Sequence, residues 1–207
     1  MDIDLPENVK EEIKKVSRQY GFRKVDFYPY YEGSGDSRSR SQARSRNPES
    51  IIFYYNFLDS ALQLYQKVGV EILRKVTEVV CLHERKHYDF PDPPNANDQE
   101  VQKRAVDAYG DRKEFCILDT LLFVFTYTEW MSEEELRKTV SKYLDENLGW
   151  LKPKEKEEIV NIMSTKKFYK KKHLKRMLTS KEYQPKSFIQ KIKDFYKSRT
   201  VLHKQHA

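Results

Sequence analysis

Cysteine is scarce in this chain, with only Cys81 and Cys116 among 207 residues and no Cys-x-x-Cys. A disulfide framework is excluded, and such usage fits a reducing compartment. Long hydrophobic runs are missing too. The longest, Phe115 to Tyr127, is interrupted by Asp119 and is too short to span a bilayer, so no membrane partner is expected. Met1-Asp2-Ile3-Asp4 is acidic and no apolar stretch follows it, so a secretory signal is not expected and the expected location is the cytoplasm. No internal repeat with a convincing period is present.

The length suits one domain of ordinary size, or a compact domain with a helical appendage. Hydrophobic residues make up 38% and charged residues 34%, which describes a soluble, hydrophilic, helix-rich protein. The net charge of +7 is unevenly spread: residues 150–207 hold 17 Lys/Arg against 5 Asp/Glu, and residues 1–149 hold 22 against 27. The excess of positive charge therefore belongs to the C-terminal part, where an acidic partner such as nucleic acid would be met.

Periodicity divides the chain into elements. Residues 6–20 read as an amphipathic helix with Val9, Ile13, Val16 and Tyr20 on one stripe. Arg23 to Tyr31 and Ser50 to Phe57 read as strands, joined by a polar Arg/Ser-rich loop that serves as a long mobile hairpin connection. Its arginines Arg38, Arg40, Arg44 and Arg46 either clamp phosphates or are simply solvated. A helix is expected from Asp59 or Ser60 to about Tyr88, bent at Gly69 and stopped by Pro91, Pro93 and Pro94. Another helical region covers about Asp98 to Trp130, broken at Gly110, with its apolar second half the most buried helix. Ser132 to Glu135 is a capping box, and Pro153 opens the first of three basic helices, roughly 153–163, 166–178 and 186–199.

One stretch names a chemistry. In His83-Glu84-Arg85-Lys86-His87 the two imidazoles stand four residues apart, on one face of a helix whose Leu73, Val76 and Val80 lead into them in the same rhythm. Two such histidines can grip one Zn²⁺, and Glu84, rotated about 100° away, can serve a metal-bound water as general base. Catalytic zinc needs a third protein ligand. No histidine follows His87 before His173, which leaves a carboxylate among Glu100, Asp107, Asp111, Glu114 and Asp119. Glu114 is the first choice, because Asp111-Arg112-Lys113-Glu114-Phe115 leads directly into the most apolar helix. Cys81, two residues before His83, reads as a buried small hydrophobe.

An N-terminal helix, a short sheet, a helix carrying His83-Glu84-x-x-His87 and a second helix with Glu114 resemble the gluzincin type of zinc peptidase. Within it the chain looks most like the minigluzincins and the ImmA/IrrE-like metallopeptidases. The resemblance implies an α+β, mostly helical fold: a zincin-like core over residues 1–130, with a short antiparallel sheet packed on the active-site helix, then a helical C-terminal region over 131–207. It implies zinc held by His83, His87 and Glu114, Glu84 as general base, and a protein or peptide substrate hydrolysed inside the cell. The acidic residue that gluzincins often place four positions after the ligand glutamate is here Leu118, with Asp119 next to it. Ser50 to Phe57 would hold an extended peptide by edge pairing, with Tyr54 or Tyr55 donating to the oxyanion. The alternative is a non-catalytic nucleic-acid-binding protein. It would use the lysines of 166–175 and Arg176 on phosphates, with Phe168 and Tyr169 for stacking.

Overall fold

Helix α1 (Glu7–Gln19) follows Pro6, whose fixed φ suits a helix start, and it buries Val9, Ile13 and Val16 along one stripe. The structure, a computed structural model, describes residues 3–29 and 43–179. Strand β1 (Lys24–Tyr28) comes next, then β2 (Ala43–Asn47) and β3 (Ser50–Tyr54). The sheet order is β1-β3-β2, with β1 parallel to β3 and β2 antiparallel to it.

The sheet is therefore mixed, where a purely antiparallel one was expected. The Arg/Ser-rich segment supplies β2, and β2 turns back into β3 through Pro48-Glu49, where Asn47 Oδ1 accepts from Glu49 N at 2.9 Å. A parallel β1–β3 pair needs a long connection, and residues 29–49 are long enough to provide it. β3 is buried along its whole length, with Val25 and Ser45 both opposite Ile51. That apolar centre strand is what makes a polar sequence such as Ala43–Asn47 a strand. The side chains of Arg38 and Arg40, and the helix expected over 186–199, lie outside the described residues.

Tyr55 ends the strand earlier than expected and opens α2 (Tyr55–Val68), and Gly69 with φ of +111° separates it from α3 (Val70–Lys86). The single bent helix read from the sequence is thus two helices, since a positive φ breaks the hydrogen-bonding register. After two 3-10 turns come α4 (Asp98–Tyr109) and α5 (Arg112–Val124), separated by left-handed Gly110. Then follow α6 (Glu133–Asn147), opened by the Ser132 capping box with both hydrogen bonds made, α7 (Pro153–Met163) and α8 (Lys171–Thr179).

The result is an α+β fold, mostly helical, with α3 at its centre: α1, α2, α4 and α5 pack around it and β2 lies against it. α5 buries Phe115, Cys116, Ile117, Leu118, Leu121 and Leu122, as its sequence predicted. Cys81 is buried beside Ser17, 3.5 Å from its hydroxyl, as a small core residue. Among the described residues no helix is long and apolar enough to cross a membrane.

Candidate metal centre

The last turn of α3 carries the histidine pair. His87 caps the helix while keeping helical dihedrals, φ −55° and ψ −36°, so the one-turn spacing from His83 holds through the helix end. The two Nε2 atoms stand 3.3 Å apart. Asp98, at the first position of α4, brings Oδ1 to 3.6 Å from His87 Nε2. One ligand atom from each of His83, His87 and Asp98 lies within 4.8 Å of the others.

Hydrogen bonds at the far side of each ring fix what those atoms are. His83 Nδ1 faces Gln102 Oε1, and His87 Nδ1 faces the carbonyl oxygen of Pro93 at 3.1 Å. With these oxygens facing them, each ring holds a proton on Nδ1, and a neutral ring then leaves Nε2 as its ligand atom. Two Nε2 atoms and a carboxylate oxygen thus converge, which is a donor set for a cation. Burial, and next the charge of His87, push His83 down to about 4, so it is neutral at pH 7. Asp98 remains 82% exposed in its side chain, which leaves the mouth of the group open to water.

Glu84 points to the sheet. Its Oε2 accepts from the backbone N–H of Ser45 in β2 at 2.6 Å, and Ser45 Oγ meets Tyr88 Oη at 3.0 Å. Burial pushes the Glu84 carboxyl up to about 8, against the stabilising Ser45 N–H, so it can gain or lose a proton near neutrality.

Of the residues expected at the site, the structure brings His83 and His87 together; Glu84 turns to β2, and Glu114 lies apart. Glu114 is buried on α5, in an ion pair with Lys75 of α3, and it accepts from Tyr109 Oη at 3.1 Å. Lys75 lies eight residues before His83, about 12 Å along the helix. Asp111 caps α5 by accepting from Glu114 N, Glu100 pairs with Arg104, and Asp107 is exposed. Asp98 was not among the expected ligands, because its approach to the histidines depends on the path of residues 88–97 and not on a pattern local to either helix. The available signal was a carboxylate at a helix start, eleven residues after His87, just past the proline-rich stop.

Two further expectations need correction. β3 is the central strand, with neighbours on both sides, so it has no free edge for a peptide, and Tyr54 is buried on it against Tyr28. The strand edge next to the histidine helix is that of β2. Phe168 and Tyr169 are buried in the core, so neither is available for stacking on a base. No family model matches the chain, and no curated protein or solved structure shows significant similarity to it.

Proposed function

We propose that the chain is an intracellular zinc-dependent metallopeptidase with a zincin-like core, in which His83, His87 and Asp98 hold the metal and Glu84 is the general base. The observation that carries this reading is the convergence of two histidine Nε2 atoms and a carboxylate at the end of a largely buried helix. Asp98 takes the place that the gluzincin resemblance reserves for a glutamate, which makes this an Asp-ligated variant. When bound, the zinc supplies a Lewis acid for the scissile carbonyl and lowers the pKa of a coordinated water.

The chain's own groups then divide the remaining work. Glu84 takes a proton from the attacking water and returns it to the leaving amine as the C–N bond breaks. The Ser45 N–H holds Glu84 oriented between the helix and the sheet. Among the described residues β2 is an edge strand, and its outward backbone groups other than the Ser45 N–H are what an extended peptide would pair with. The two buried free cysteines agree with a reducing compartment.

Metal analysis of protein purified without added zinc tests the reading. Near-stoichiometric zinc is expected in the parent and in Glu84→Gln, much less in His83→Ala and His87→Ala, and hydrolysis of an unfolded protein substrate only by the parent. A parent without zinc, or equal zinc loss in Glu84→Gln, would overturn it.

A further inference from the structure

The donor group is split between two helices, and the segment that joins them sets their distance. His83 and His87 belong to the end of α3 and Asp98 to the start of α4, with residues 88–97 between. α4 itself grips that segment. Arg104, on α4 and six residues after Asp98, donates from Nη1 to the carbonyl oxygen of Asp89 at 3.3 Å, and its guanidinium lies over the Phe90 ring, 4.0 Å from the ring centroid. A helical side chain leans toward the N-terminus of its helix, so Arg104 reaches back along α4 past Glu100, whose Oε1 stands 3.6 Å from Arg104 Nε.

Both contacts fall within three residues of His87. The same segment is tied to His87 a second time by Pro93, whose carbonyl accepts from His87 Nδ1 at 3.1 Å. A guanidinium suits this place, because it is a flat, weakly hydrated cation with several donors and can face a ring while donating to a carbonyl. We propose that Arg104 is a positioning residue for the metal centre: by fastening Asp89 and Phe90 to α4 it closes the α3–α4 connection and holds Asp98 against His87, where Oδ1 and Nε2 stand 3.6 Å apart. This rests on the reading of His83, His87 and Asp98 as metal ligands. Arg104 supplies no ligand atom itself and acts only through the path of residues 88–97.

Zinc affinity, measured by competition with a chromophoric chelator, is expected to fall by about tenfold or more in Arg104→Ala. Glu100→Ala breaks an exposed ion pair and leaves the contacts to Asp89 and Phe90, so it should stay within about twofold of the parent. The decisive variant is the double replacement Arg104→Ala, Asp98→Ala. If Arg104 acts through Asp98, the double variant binds zinc within about twofold of Asp98→Ala alone, whereas a general loosening of the fold multiplies the two losses. Amide exchange in the metal-free full chain reads the clamp by itself. The Phe90 N–H, bonded to His87 O, and the Ala96 N–H, bonded to Pro93 O, should exchange faster in Arg104→Ala while the amides of α5 stay as slow as in the parent. Unchanged zinc affinity in Arg104→Ala, or fully multiplied losses in the double variant, overturns the proposal. A parent that binds no zinc refutes the metallopeptidase reading instead, and the clamp then stands or falls on the exchange rates at Phe90 and Ala96.

Discussion

Three acidic side chains on or beside the central helix α3 meet three different fates, and the partner each one meets decides which. Asp98 faces two histidine Nε2 atoms, Glu84 a backbone N–H, and Glu114 an ammonium. On the metallopeptidase reading, Asp98→Ala should therefore cost at least about tenfold in zinc affinity with little loss of stability, since the side chain stands exposed at a helix start. Glu114→Ala should do the reverse. It takes the carboxylate away from Lys75, whose side chain is only 12% exposed, and loss of one partner of a buried pair costs about 3–5 kcal/mol in chemical denaturation. Asp119 carries a pH signature of its own, because burial raises it from 3.8 to about 6. Between those values the folded chain holds a proton that the unfolded chain has released, so stability falls as pH rises from about 4 to about 6, by roughly 3 kcal/mol for this group. Asp119→Asn should flatten that part of the stability–pH curve, and unfolding at a series of pH values reads it directly. The histidine pair and Glu84 were legible in the sequence because their geometry is local to one helix. Asp98 was not, because its approach depends on the path of residues 87–97. The burial of Glu114 was legible from its apolar neighbours, whereas its partner lay 39 residues away.

At the scale of elements, local signals fixed the ends and long-range pairing fixed the rest. Pro6, the Ser132 capping box and Pro153 mark helix starts in sequence and in structure alike, each by satisfying or sparing the first backbone N–H groups. β2 was hidden, since a strand made of Ala43-Arg44-Ser45-Arg46-Asn47 owes its conformation to β3 and to Glu84 rather than to its own composition. Gly69 falls between these cases: its position as a break was readable, the completeness of the break was not. With φ at +111° and open space where a Cβ would stand, Gly69→Ala meets backbone strain and no clash. It should lower stability by about 1–2 kcal/mol and leave zinc affinity within twofold, since the α2–α3 junction lies at the far end of α3 from His83. A loss of zinc binding in this variant would mean that the junction, and not the last turn alone, sets the histidine geometry.

The whole molecule separates its charge while sharing its core. Buried residues run without interruption in kind from Leu5 to Leu174, so Ile159, Met163, Phe168 and Leu174 belong to the same hydrophobic cluster as the histidine helix even though they lie in the basic part of the chain. The apolar side chains there face inward, and Lys170, Lys171 and Lys172 remain exposed at the start of α8. Charge alone then predicts weak, sequence-independent binding of nucleic acid that declines steeply with salt, as each neutralised phosphate contributes about 0.9 to the slope of log affinity against log salt. A site would do more than that. If these three lysines contact phosphates together, replacing all three with alanine should lower affinity and reduce the slope by nearly 3, whereas replacing Lys142, Lys152 and Lys154, which are also exposed, should leave the slope nearly unchanged. Gel-shift titrations of the full chain at several salt concentrations distinguish the cases. Equal losses in the two triple variants would reduce the basic surface to a diffuse field, and no binding by the parent would remove nucleic acid from among its partners.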